Sequence, residues 1–189
     1  KEIAVAVVWG LNPLSFHLES ELNNRLSIIG NNNANAIWQL HSDLLIKNRL
    51  RISLNYLLDE FVLDKGIQIG KEHGKGYSLR FALSPIKSEY YLFNFFLKLK
   101  EIGTPTFRHS LGDNNFVQDS YPLGLFNGSD LQEYSIGFNY FYNKKVFIIF
   151  EYFLINVGEE SILNRPYDSY FDYKKGPFPS GRVDNYSFL

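Results

Sequence analysis

ANAIWQLHSDLLIKNRLRISLNYLLDEFVLD, residues 34–64, is the stretch on which the fold turns. In its first arm Ala34, Ala36, Trp38, Leu40, Leu44 and Ile46 share one parity, while Asn35, Gln39, His41 and Asp43 share the other. Lys47-Asn48 makes a short polar connection. Leu50, Ile52, Leu54, Tyr56 and Leu58 then face one way, and Arg49, Arg51, Ser53, Asn55 and Asp59 the other. Successive side chains of a strand point to opposite faces, so alternation on both sides of a tight turn reads as a hairpin. Strands of soluble domains run about five or six residues. Arms of this length favour the wall of a barrel.

Working outward, the alternation returns. Tyr77, Leu79, Phe81 and Leu83 interleave with Ser78, Arg80 and Ser84, and Tyr91, Phe93, Phe95, Leu97 and Leu99 with Asn94, Lys98 and Lys100. Tyr134, Ile136, Phe138 and Tyr140 interleave with Glu133, Ser135, Gly137 and Asn139. A second hairpin passes through Asn143-Lys144 into residues 145–157, where Phe147, Ile149 and Phe153 blur the pattern. The blurring suggests a lumen filled by a plug, or a strand covered on both faces. The connections at 47–48 and 143–144 are tight, whereas 65–75, 104–130 and 158–180 are long and rich in Gly, Pro, Asn and Asp. Short turns at one rim and long loops at the other characterise outer-membrane barrels. One segment differs: Asn12 suits a helix cap, Pro13 a first helical turn, and Leu14, Leu18 and Leu22 repeat at helical spacing. The expected fold is all-β: one antiparallel transmembrane β-barrel domain over residues 1–189, with about eight strands visible and one short loop or plug helix.

Composition narrows the class. Of 189 residues, 17 are Phe, 13 Tyr and 2 Trp, an aromatic excess that suits strands and membrane interfaces. Lys plus Arg number 19 against 20 for Asp plus Glu, which gives no basic footprint for nucleic acid. There is no Cys, which excludes disulfides and thiolate metal sites. The longest apolar candidate near residues 146–155 is interrupted by Glu151 and is too short for a spanning helix, which needs about 20 residues. A closed barrel is the other spanning solution.

Three further stretches carry a resemblance. The first is Leu11-Asn12-Pro13-Leu14-Ser15-Phe16 with Asn31-Asn32-Asn33 downstream, and the second is Leu57-Leu58-Asp59-Glu60-Phe61. The third runs through Thr106-Phe107-Arg108-His109, Asn114-Asn115-Phe116, Tyr121-Pro122-Leu123-Gly124 and Gly128-Ser129-Asp130 into a strand. In order and spacing these resemble the Wzi-type capsule-assembly outer-membrane proteins. The resemblance implies a non-enzymatic, lectin-like outer-membrane barrel that attaches or assembles surface polysaccharide. That family's barrels are larger than the strands counted here, so further strands, N-terminal ones above all, are expected beyond this chain. No sugar-binding motif of the family maps onto these residues.

Arg108, His109, Gln118, Asp119 and Asp130 form the densest polar group, all within one long loop. Such side chains can hydrogen-bond sugar hydroxyls or uronate carboxylates. They can also tie the loop down through Arg–Asp pairing and turn chemistry, and that reading is favoured because ordered polar groups tend to satisfy one another. His41, Asp43, Arg49, Arg51, Asp59, Arg80, Lys98 and Glu151 fall on the polar parity and are expected to line a lumen. Both signs are present, which favours a mutually neutralising network over an anion filter. Trp38, Tyr56, Tyr91, Tyr134, Tyr140 and Tyr152 offer rings that can stack on sugars, but their parity puts most of them on the lipid side, so interfacial belts are the expectation.

Catalysis finds little support. No Gly-x-Ser-x-Gly elbow occurs, and His17, His41, His73 and His109 show no metal-ligand spacing. The glycines between 70 and 76 lie between strands, with no helix to receive a phosphate. No cofactor is expected. The expected partners are outer-membrane lipid, surface polysaccharide and other envelope proteins. Three alternatives stay open: an interaction subunit of a larger cell-surface assembly without sugar affinity, an outer-membrane hydrolase, and a soluble barrel whose apolar parity is a core.

Overall fold

The computed structural model describes residues 3–9, 37–59, 72–109, 111–123, 125–143, 145–170 and 176–188. The helix expected near residues 12–22 lies outside them, as do the ends of the first hairpin at 34–36 and 60–64. The strands are β1 (Ile3–Trp9), β2 (Trp38–Ile46), β3 (Leu50–Leu58), β4 (Lys75–Lys87), β5 (Tyr91–Ile102), β6 (Val117–Gln118), β7 (Tyr121–Pro122), β8 (Leu131–Tyr142), β9 (Val146–Val157) and β10 (Asp184–Phe188). One turn of 3₁₀ helix spans Gly112–Asn114.

β1-β2-β3-β4-β5-β8-β9-β10 form one antiparallel meander of eight strands, and β6-β7 a small hairpin apart from it. The fold is therefore all-β and antiparallel. Among the described residues the sheet is open, with no pairing between β1 and β10. The short connections, at 47–49, 88–90 and 143–145, all lie at one rim, and the long ones at the other. Lys47 and Asn48 both take positive φ, and the Arg49 amide returns to the Ile46 carbonyl at 3.1 Å, as a primed hairpin turn requires. On β4, Pro85 cannot donate to the ladder, and the register shifts between Leu83 and Ile86.

Because the register holds across the strands, alternation along each becomes two continuous faces. One is apolar. Its rows run through Leu54, Leu79, Leu99, Tyr134 and Leu154, then Ile52, Phe81, Leu97, Ile136 and Tyr152, then Leu50, Leu83, Phe95, Phe138 and Phe150. Phe138 stacks on Phe93 and Phe150 at 5.6 and 5.4 Å between ring centres. Although apolar, Leu54, Leu83, Leu97, Ile136 and Leu154 are exposed. At the long-loop rim this face ends in a polar row, where Tyr77 and Gln132 both donate to Glu101, at 3.0 and 3.3 Å. Tyr91 and Tyr142, 5.3 Å apart, close it at the short-turn rim.

The dry core lies elsewhere. Ile102, Phe107, Leu131 and Ile162 form it beneath the long loops, with Leu57, Phe116, Leu125 and Val157 packed around them. Strand ends and loop residues together bury what the sheet faces do not.

Candidate functional site

The polar face and the loop layer above it hold the residues with chemistry to offer. On the polar face, β2 and β3 place Asp43 opposite Ser53, with Arg51 one step further along. Arg51 grips the Asp43 carboxylate through Nε and Nη2 at 2.7–2.9 Å, and the Ser53 hydroxyl donates to it at 2.8 Å. His41 meets Asn55 at 2.6 Å. Lys98 on β5 reaches across β8 to Glu151 on β9 at 2.6 Å, a span open to it because Gly137, the neighbour of Glu151, carries no side chain. The Ser135 hydroxyl also donates to Glu151, at 3.0 Å, and Lys100 pairs with Glu133 at 2.8 Å. Asp43 pairs with Arg51 and Lys98 with Glu151 on this polar face, while Arg80 shares the face without an ion pair among the described residues.

Two residues expected on this face are elsewhere. Arg49 belongs to the exposed turn, because the positive-φ pair before it ends the strand. Asp59 is buried just beyond β3, where its carboxylate accepts the amide of Phe107 and its own amide donates to Gly74 at 2.8 Å. The parity that placed it in a lumen holds only as far as Leu58.

The long-loop residues divide. Arg108 is fully buried and donates to the carbonyls of Glu160, Arg165 and Asp168 at 2.9, 2.6 and 3.0 Å. Its guanidinium therefore stitches the loop after β5 to the loop after β9. Asp130, also 0 % exposed, accepts from the Thr104 hydroxyl at 3.0 Å and from the amide and hydroxyl of Ser180. Gly158 passes so close that a Cβ there would lie 2.0 Å from the Asp130 carboxylate. The His109 amide donates to Asn115 at 2.6 Å, and its ring Nδ1 accepts from the Leu111 amide at 3.0 Å. Asn115 in turn donates to the carbonyls of Pro166 and Asp168. Phe107, held at φ 72°, pays a left-handed strain of about 1–2 kcal/mol, offset by its bond to the Asp59 carboxylate. These groups serve the chain itself.

Gln118 and Asp119 stand apart at the exposed tip of the β6–β7 hairpin, whose turn residues Asp119 and Ser120 take positive φ. Around the same outer surface Tyr121 is 73 % and Phe126 89 % exposed. The structure thus brings Arg108, His109 and Asp130 into one buried framework and leaves Gln118 and Asp119 outside it. Sequence reasoning missed Asn115, Thr104 and Ser180 as members of that framework. Asn115 accepts locally from His109, but the carbonyls it donates to lie about fifty positions away, and nothing local marks them. Among the described residues no cluster of His, Asp and Glu could hold a metal ion. Comparison with protein-family models, with curated proteins and with solved structures returns no match for this chain.

Proposed function

We propose that this chain forms part of the wall of an outer-membrane β-barrel, with its apolar face in lipid and its long loops outside, where they contact surface polysaccharide. The carrying observation is the apolar face: a soluble protein rarely exposes more than a few hundred Å² of contiguous apolar surface, yet here aliphatic and aromatic rows continue from β2 to β9. Their extent fits a bilayer. From Tyr134 to Tyr142 the chain advances about 27 Å at about 3.4 Å per residue, or about 21 Å along a membrane normal at a tilt of about 40°, against an apolar band of roughly 25 Å in such barrels. Tyrosines stand at both ends of the band, as interfacial girdles do. Closure of the sheet, with this chain's strands or with others, belongs to the proposal.

The polysaccharide part is supported by the resemblance to the Wzi-type proteins and by the hairpin tip. With Arg108, His109 and Asp130 committed inside, Gln118 and Asp119 beside Tyr121 are the groups free to meet a sugar, amides and carboxylates for hydroxyls and a ring for stacking. No catalytic role is proposed. A second reading, an interaction subunit without sugar affinity, is favoured by one observation: toward β9 and β10 the polar face turns apolar, with Phe147 and Ile149 53 % and 60 % exposed and Tyr186 and Phe188 also exposed.

Fractionation tests the membrane part. The protein is expected in the outer-membrane fraction, soluble only in detergent, with heat-modifiable migration; a monomer soluble without detergent contradicts it. Binding of capsular polysaccharide, weakened by Asp119→Ala and by Tyr121→Ala, tests the polysaccharide part. Equal binding by both variants and the parent protein counts against the hairpin tip. Protein partners retained through detergent purification, with no glycan binding, favour the second reading.

A further inference from the structure

The polar face carries a charge imbalance that its ion pairs leave in place. Arg51 has Asp43, Lys98 has Glu151 and Lys100 has Glu133. Arg80, in register between Ser53 and Lys98, has no carboxylate within ion-pair distance among the described residues, and its buried Nε lacks a hydrogen-bond acceptor. Glu151 lies within Coulombic range of Arg80, but its carboxylate is bonded to Lys98 and Ser135.

Arg80 is nonetheless held in place. Its guanidinium carbon stands 5.2 Å from the centre of the Phe96 ring, and the Lys98 ammonium stands 4.8 Å from the same centre. Phe96 is itself buried, lying over Gly137, where a Cβ would come within 2.6 Å of the ring. A fixed ring attracts each cation through its quadrupole. The two cations repel each other, and one carboxylate between them leaves a positive charge uncompensated. An anion at the outer, terminal nitrogens of the guanidinium and beside the ammonium would relieve that repulsion.

We infer that Arg80 and Lys98, gathered on the Phe96 ring, form an oxyanion-binding site on the polar face, taking a phosphate or a carboxylate. The guanidinium fork matches two oxygens of such a group, and the ammonium adds a point charge. The inference rests on the reading of this face as the water-lined side of a barrel. The oxyanion has two possible sources, a small free anion or an acidic sugar unit.

The test is calorimetric titration of the full chain in detergent with inorganic phosphate and, separately, with a galacturonate oligomer. Saturable binding of either probe is expected, with phosphate the tighter ligand if the source is a free anion and the oligomer if it is an acidic glycan. Arg80→Gln should weaken binding about tenfold or more, as loss of a two-pronged charged contact does. Arg49→Gln, an equal charge change in the exposed turn, should leave it unchanged. Arg80→Lys keeps the charge without the fork and should weaken binding severalfold, a readout that stands even if Arg80→Gln does not fold. Absence of saturable binding to either probe, equal losses in Arg80→Gln and Arg49→Gln, or full affinity in Arg80→Lys would overturn the site. Heat-modifiable migration of the same sample reports on the barrel separately, so a folded barrel that binds neither probe rejects the site alone.

Discussion

The sheet and the loop layer solve opposite problems. Between the rims, the sheet leaves Leu97, Ile136 and Leu154 exposed on one face while its charges pair, part-buried, on the other. In the loops, Arg108, Asp130, Thr106 and Ser129 are fully buried beside Ile162 and Leu131. Water explains the second arrangement: a loop layer folded on itself must satisfy every polar group it removes from solvent. It does not explain the first, because apolar rows standing in water are unfavourable by roughly 25 cal/mol per Å². On the proposed membrane reading, a lipid surround would remove that cost for the sheet and leave the loops as they are. On that reading the difference would separate a part of the chain stabilised by its surroundings from a part stabilised by its own side chains.

That contrast can be broken at graded points. Arg108→Ala removes a fully buried guanidinium and its three bonds to the carbonyls of Glu160, Arg165 and Asp168, and should destabilise the loop layer by about 3–5 kcal/mol; limited proteolysis should then cut between residues 104 and 130 while the sheet stays protected. Ile136→Arg should lower barrel stability by about 2–4 kcal/mol, the cost of a charge near mid-bilayer, read from urea unfolding in lipid vesicles. In a water-facing setting the same change at an exposed position would be worth under about 0.5 kcal/mol. Gly158→Ala drives a methyl into the Asp130 carboxylate and should cost about 1–3 kcal/mol, seen as loop proteolysis milder than in Arg108→Ala. Lys98→Ala breaks a part-exposed pair and should cost no more than about 1 kcal/mol, less at high salt.

Legibility followed the same divide. The sheet was readable because period-two alternation is local: β3, β5 and β8 carry it in nearly every residue. The ion pairs could be expected as a class, since both signs fell on one parity, but their partners follow from registers that no single strand encodes. Arg49 and Asp59 flank β3, and the alternation does not extend past its ends: one residue belongs to a turn and the other lies under a loop. The loop residues were the least readable. Asp130 meets Ser180 fifty residues away and Arg108 meets Asp168 at a separation of sixty, so whether a polar loop residue points in or out has no local signature. The Phe96–Gly137 contact was hidden for the same reason, since a glycine opposite an aromatic is visible only once two strands are in register.

The central claim is that one face of this sheet meets lipid and the other water. The chain lacks cysteine, so single cysteines can be placed without interference. The measurement is a scan of residues 133–140 in the reconstituted protein, with a water-soluble maleimide as one probe and a lipid-borne fluorescence quencher as the other. The account predicts strict alternation: positions 134, 136, 138 and 140 quenched by lipid, with the intervening positions unquenched and labelled from water wherever a thiol is exposed. Water labelling of positions 136 and 138 with no lipid quenching, or no alternation at all, would contradict it.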